Sequence, residues 1–532
     1  MSDRPNFLFI ITDQHRADYL GCAGHPVLRT PHIDSIAARG RRFDRFYVAN
    51  PICMPNRATL MTGRMPSLHG VRSNGIPLSL QANTFVDLLR AQGWRTALLG
   101  KSHLQCFTGI APIVTRPPPR PGHRAPPSGF AEATRPIPGD GPYDVEIPQR
   151  WRDDPDWSVP LPFYGFERVD LATNHGDEVG GHYWHWLKAK GGNPDKLVGP
   201  DNALPHDKVC PQAWRTAVPE ELYPTTYVAE RTIDFLEDHA RNGGGAPFFA
   251  FASFPDPHHP FTPPGRYWDM YRAEDMTLPA SFKPTNATPP HVAWLQARRD
   301  DGSRIVQGQD GIAISEREAR EAMALTCGMI AMVDDAVGRI LATLDRLGQR
   351  DNTVVVFTAD HGDFLGDHQL LLKGPIHFQS LIRVPCLWAD TPDRARPGTT
   401  AALAGTVDLA ATILDRAGLE PYNGIQGRSL LPAAAGDDDG PEAVMVEEDG
   451  QRTVFGLPGP ARLRTLVTRD WRMTLYHGLP WGELYSLRED PAEMTNRWDD
   501  PAAAAVKAEL LERLARQQMA TVDRSPLPMM RA

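Results

Sequence analysis

The chain has 532 residues, 41% hydrophobic and 23% charged, a balance that excludes a disordered or fibrous chain and fits a globular protein with a large domain and a smaller one. A formal net charge of -9 leaves no electrostatic footprint for nucleic acid or an anionic membrane, so any anion site must be a local concentration of cations. No apolar run reaches the length of a membrane span, and a core strand begins within a few residues of Met1, so the expectation is a cytoplasmic protein with no membrane partner.

Asn6–Thr12 is a continuous apolar run, as expected of a strand buried on both faces of a parallel sheet, and it ends on Asp13-Gln14. Ligands of open α/β sheets gather beyond the carboxyl ends of the strands, which is where Asp13 falls; a helix-capping role suits it equally well on local grounds. His32–Gly40 has the pattern of an amphipathic helix with a glycine stop, and Phe43–Val48 that of a short strand.

Cys53-Met-Pro-Asn-Arg57 then opens a short helix, with Pro55 suited to its first turn and Gly63 to its C-terminal stop. Cys53 would lie at the mouth of that helix, where free N–H groups attract an anion, with Arg57 one turn later on the same face. A buried packing cysteine is the alternative. Asn74, in Arg72-Ser-Asn-Gly75, either adds a polar contact to such an anion or serves a turn.

Thr84–Gln92 follows as a helix and Arg95–Leu99 as a buried strand ending on Gly100-Lys101-Ser-His103. Lys101 and His103, at alternate positions of an extended segment, point the same way. From Phe107 to about Pro162 the chain is rich in Pro, Gly and Arg, most of all in Arg116-Pro-Pro-Pro-Arg-Pro-Gly122, and reads as an excursion on the main domain without a helix or sheet of its own. Trp184, Trp186 and Trp214 either line a substrate mouth or anchor packing.

Thr226–Ala240 is an amphipathic helix, and Pro247–Ser253 a third buried strand leading to Pro257-His258-His-Pro-Phe261. A histidine held between prolines just past a strand is stiffly placed, as a catalytic acid requires. Glu316–Leu347 reads as one long helix or two, and Thr353–Thr358 as a fourth buried strand ending on Asp360-His361-Gly-Asp363, with Lys373 a little further on. Adjacent Asp and His at a strand end suit a metal. Four apolar strands thus end in ionisable groups, a repetition that one shared site would produce.

Val407–Gly418 is a helix that completes the large domain. After Asp437-Asp-Asp-Gly440, the stretches Ala443–Glu447, Arg464–Thr468, Trp471–Tyr476 and Glu483–Leu487 read as a small antiparallel sheet, followed by a helix over Ala502–Gln517 and a polar tail that could reach a second copy of the chain. Six scattered cysteines fit reduced thiols, and Asn286-Ala-Thr288 has the spelling of a glycosylation acceptor but no secretory signal to give it weight.

The Cys53–Arg64 signature, together with Asp13-Gln14, Lys101-Ser-His103, Pro257-His258-His-Pro, Asp360-His361-Gly and the closing Glu483-Leu-Tyr-Ser-Leu-Arg-Glu-Asp-Pro, resembles the sulfatase family in identity and order. The resemblance implies an alkaline phosphatase-like α/β fold: a mostly parallel sheet flanked by helices over residues 1–435, with an insertion at about 107–215, and a C-terminal antiparallel subdomain over 436–532. It implies hydrolysis of a small-molecule sulfate monoester, with an aryl ester the expected substrate, and conversion of Cys53 to formylglycine by a formylglycine-generating enzyme. Asp13, Gln14, Asp360 and His361 would hold one divalent cation, Ca2+ or Mn2+, beside the modified Cys53. Arg57, Lys101 and Lys373 would stabilise the oxyanion, Lys101, His258, Lys373 and Asn74 would contact substrate, His258 or Lys373 would protonate the leaving alcohol, and His103 would take the proton that restores the aldehyde.

Two departures matter. Gln14 stands where many sulfatases have a second aspartate, and His361 where many have asparagine; both occur in the phosphonate monoester hydrolase branch of the superfamily and in some sulfatases, which makes phosphonate or phosphodiester hydrolysis the rival activity. An imidazole ligand also makes Mn2+ more plausible than an all-oxygen Ca2+ cage would. A third alternative is a non-catalytic anion binder in which Cys53 stays a thiol.

Overall fold

The computed structural model describes residues 4–110, 122–124, 127, 141–283, 285, 288–524 and 529–530. Asn286 and residues 116–121 of the Pro-rich run lie outside the described residues, as does part of the polar tail.

A nine-stranded sheet forms the centre, in the order Gly398–Thr400, Arg41–Phe43, Cys386–Ala389, Thr353–Ala359, Asn6–Thr12, Phe248–Ser253, Arg95–Gly100, Arg168–Thr173 and Gly180–Gly181. The four strands from Thr353–Ala359 to Arg95–Gly100 are contiguous and parallel. Their apolar runs are unbroken because both faces are covered. Phe7, Phe9 and Ile11 enter one core, with the helices Cys53–Thr62, Phe85–Ala91 and Asp408–Arg416. Leu8 and Ile10 enter the other, with Pro31–Arg39, Pro224–Asn242 and Glu316–Arg346. Each such side chain contributes about 1.5–3 kcal/mol when fully withdrawn from water.

The register places the four strand ends level. The N–H of Asp360 donates to Thr12 O at 3.2 Å, that of Phe254 to Ile11 O at 2.8 Å, and that of Lys101 to Ser253 O at 2.9 Å. Gly100 permits this approach: at φ +115° an added Cβ would lie 1.9 Å from Ser253 O, so no other residue fits without moving the strand.

Several elements differ from their sequence expectation. Phe43–Val48 is not one strand: Arg41–Phe43 joins the main sheet, whereas Phe46–Tyr47 pairs separately with Ala404–Gly405. Glu316–Arg346 is one helix of 31 residues, started by a Ser315–Glu318 capping box. The Pro-rich region carries regular structure after all, since Pro148–Asp153 is helical. Beyond it, Arg168–Thr173 adds a strand to the main sheet. Trp184 and Trp186 lie on the His182–Ala189 helix, where Trp186 packs edge-on to Tyr227 at 5.3 Å as an anchor. Trp214 donates its Nε1–H to Asp177 at 3.1 Å.

The C-terminal strands Ala443–Asp449, Arg462–Thr468, Trp471–Tyr476 and Gly482–Ser486 form an antiparallel sheet in chain order. One face receives Leu510 and Leu514 of the Ala504–Ala520 helix. All six cysteines are free, and among the described residues no helix is long and apolar enough to cross a membrane.

Candidate active site

The Cys53–Thr62 helix begins where expected, with Ile52 as its extended N-cap and Gly63 as its left-handed stop (φ 63°). The Met54 N–H, one of the donors left free at a helix start, is taken by Asn74 Oδ1 at 3.1 Å, so Asn74 completes the helix mouth. Cys53 is wholly buried and faces the four strand ends. Its Sγ lies 3.0 Å from His361 Nε2, 3.2 Å from Lys373 Nζ and 3.8 Å from Asp13 Oδ1.

Arg57 ties the strand ends together. Its Nε donates to Asp360 Oδ2 at 2.7 Å, Nη2 to Asp13 Oδ2 at 3.3 Å, and Nη1 to Lys101 O and Ser253 Oγ at 3.0 Å each. The guanidinium is therefore largely committed to the scaffold and to the two carboxylates, so it acts on an anion chiefly through the positions it fixes. Burial raises the Asp13 carboxyl, but Lys101 and Arg57 outweigh it and hold the group well below the usual carboxylate range. For the Cys53 thiol, burial and Asp13 push upward, while Lys373, His361 and Lys101 prevail and bring it below its ordinary value.

The remaining cations crowd together. Lys373 Nζ lies 2.7 Å from His258 Nε2 and 3.1 Å from His361 Nε2, and Lys101 Nζ contacts Asp13 Oδ2 and lies 2.6 Å from His175 Nε2. His258 bonds the His259 carbonyl through Nδ1, which must donate, so its Nε2 lone pair faces Lys373. Burial and then Lys373 drive the His258 pKa well down, keeping the ring neutral. His103 is buried, and its Nδ1 has no partner.

The residues present fit a divalent cation. Asp13, Cys53, His258 and His361 are all buried, with ligand atoms within 4.8 Å of one another. His361 Nδ1 donates to the Gly362 carbonyl at 2.9 Å, leaving a lone pair on Nε2, and Gln14 Nε2 donates to Asp363 Oδ2 at 2.5 Å, leaving Gln14 Oε1 buried and without a partner. An orphaned carbonyl oxygen, two carboxylates and an imidazole nitrogen form a donor set for one such ion.

The structure thus brings Asp13, Gln14, Cys53, Arg57, Lys101, His103, His258, Asp360, His361 and Lys373 together, with Asn74 at the helix start. It adds three residues to which the sequence assigned no role. His259 and Asp363 hold the Gln14 amide, and His175 stacks on His258 with ring centres 3.5 Å apart. His175 follows the Arg168–Thr173 strand, and the short run Val-Asp-Leu-Ala-Thr before it is the signal that marks a fifth strand end.

The sequence model of the sulfatase family matches residues 5–109 and 172–419, all four strand ends included. The chain belongs to the sulfatase family. A second model, described as N-sulphoglucosamine sulphohydrolase, C-terminal, matches residues 366–520 of this sulfatase-family chain. The chain is 26% identical over 548 residues to the multifunctional alkaline phosphatase superfamily protein PehA of Trinickia caryophylli, covering 98% of this chain and 96% of that one. It is 28% identical to an arylsulfatase of Clostridium perfringens, covering 80% and 78%. The crystal structure of the phosphonate monoester hydrolase of Agrobacterium radiobacter superposes with a TM-score of 0.75 at 26% identity, covering 98% and 97%. The fold is the alkaline phosphatase-like one of this sulfatase family.

Proposed function

We propose that this sulfatase-family member hydrolyses sulfate monoesters, aryl esters among them, at residue 53 after its conversion to formylglycine. The observation that supports it is the clustering of Lys373, Lys101 and the imidazoles of His175, His258 and His361 around Cys53 and Asp13, more cationic and protonatable groups than the two carboxylates need. That surplus suits a doubly coordinated sulfate oxyanion in a site closed to water, where charge stabilisation is the largest contribution to rate. The hydrated aldehyde would supply an oxygen nucleophile, and a divalent cation, which Asp13, Gln14, Asp360 and His361 would hold, would supply positive charge beside it.

The chain's own groups do the rest. Lys101 and Lys373 hold sulfate oxygens through their ammonium groups. Lys373 donates toward His258 Nε2, and this pair delivers the proton to the leaving alcohol oxygen. His103, with Nδ1 free, takes the proton whose departure restores the aldehyde. Arg57 holds Asp13 and Asp360 in place. The C-terminal subdomain, residues 436–532, closes on the Lys373 segment: Tyr476 OH donates to Pro375 O at 3.2 Å.

A second activity, phosphonate monoester hydrolysis, is favoured by Gln14 and His361, which leave the cation with fewer carboxylates, and by the likeness to the Agrobacterium enzyme. The test is sulfate release from an aryl sulfate by protein whose residue-53 peptide has been shown by mass to carry the aldehyde. No release overturns the proposal. A kcat/KM that favours a phosphonate ester of the same alcohol over the sulfate assigns the chain to the second activity instead.

A further inference from the structure

We infer that Glu146, on the return limb of the 107–215 segment, is a positioning residue that fixes the turn carrying His103. This rests on the role proposed for His103.

Glu146 is wholly buried, and its carboxylate receives three consecutive backbone N–H groups: His103 at 2.7 Å, Leu104 at 3.0 Å and Gln105 at 2.9 Å. Successive N–H groups converging on one carboxyl group define a turn more tightly than any single bond, because each donor restricts a different peptide plane. The turn needs that restraint, since His103 sits in the left-handed region at φ 55°, where a non-glycine residue is strained.

The contact is reinforced on both sides. Gln105 Oε1 accepts the Val145 N–H at 3.1 Å, Gln105 Nε2 donates to Pro142 O at 3.2 Å, and Trp151 Nε1 donates to Val145 O at 2.8 Å. The ring of His103 has no such hold, for its Nδ1 is without a partner and its face rests on Phe107 with ring centres 4.1 Å apart. Histidines in proton-transfer sites are ordinarily oriented by a bond to one ring nitrogen. Here the backbone turn does that work, and Glu146 holds the turn. The return limb of the segment therefore supports the chemistry.

The consequence falls on the step that His103 serves. In the aldehyde-bearing enzyme with an aryl sulfate, Glu146→Gln replaces one acceptor oxygen with an amide that faces an N–H. It should lower steady-state kcat about 10- to 100-fold, the cost of a misplacement of roughly 1 Å. The first turnover of alcohol release and kcat/KM should stay within about twofold, so that KM falls with kcat, because Lys101, Lys373 and His258 are untouched. Glu146→Asp, which keeps the charge, should recover part of the loss. The double variant Glu146→Gln/His103→Ala should be no slower than His103→Ala, since residues that act through one another do not add.

Multiplicative losses in the double variant, or loss of the first turnover, overturn the inference. If Glu146→Gln does not fold, Glu146→Asp takes its place in the same cycle and decides between the same two outcomes. Slow turnover in His103→Ala with wild-type turnover in Glu146→Gln defeats the inference alone. Wild-type turnover in His103→Ala defeats the underlying role of His103, and the inference with it.

Discussion

Two regions of this molecule bury charge completely, and they do so in opposite ways. In the C-terminal subdomain, Arg472 donates to Glu493 through Nε and to Glu483 through Nη1 at 2.9 Å, with its planar face over Tyr485 at 4.7 Å. His377, reaching in from the large domain, faces Glu448 at 3.0 Å and Thr465 at 2.7 Å. Arg472 and His377 each meet a carboxylate. Around Cys53, by contrast, Lys373 faces two imidazoles and Lys101 faces a third. Buried charge alone is thus no mark of an active site; a buried surplus of one sign, with orphaned acceptors beside it, is.

The comparison can be tested by removing one group from each region. Cys53→Ala removes the precursor of the nucleophile and should lower kcat by about 10^4-fold or more while leaving the melting temperature almost unchanged, a pattern read by kinetics and calorimetry together. Arg472→Met should do the reverse. It strands two buried carboxylates and should cost roughly 3–5 kcal/mol in chemical denaturation, with kcat per folded molecule unaffected.

A divalent cation should raise the melting temperature of wild-type protein by an amount equivalent to about 2.7 kcal/mol at a hundredfold excess over its dissociation constant. Gln14→Ala should shrink that shift, as titration calorimetry can confirm. Lys373→Ala, in protein stripped of metal, should be stabilised by up to about 1–2 kcal/mol, because relieving like-charge crowding gains what an active site gives up for function. A destabilised Lys373→Ala would erase the contrast between the regions.

Acid should expose the smallest effect. Burial first, and then nearby Arg472, hold the His291 pKa down at about 4, and burial does the same for His368. The unfolded chain binds protons near 6.5 while the folded one still excludes them, so stability should fall as pH drops from about 6.5 to about 4. Denaturant midpoints across that window give the slope.

The four strand ends were legible in the sequence because strands buried on both faces write unbroken apolar runs, and Asp13, Lys101, His258 and Asp360 follow those runs directly or within a few residues. His175 was not, because Arg168-Val-Asp-Leu-Ala-Thr173 lies near the sheet edge and mixes polar with apolar residues. Glu146 carries no local signal at all, since its partners are some 40 positions away in the chain. The C-terminal network was hidden by its own periodicity. Arg472, Thr474 and Tyr476 alternate with apolar residues as a solvent-facing set would, yet all three are buried.

Cys53 sits on the first turn of a helix inside the core and has no exposed surface. No protein catalyst can reach a thiol so placed without unwinding the helix and parting it from the sheet. An enzyme that modifies the Cys53 thiol must therefore act while the chain is still unfolded, during or just after its synthesis. Protein that folds with its thiol intact is committed to that state, and supplying the modifying activity afterwards would not recover it short of unfolding and refolding the chain.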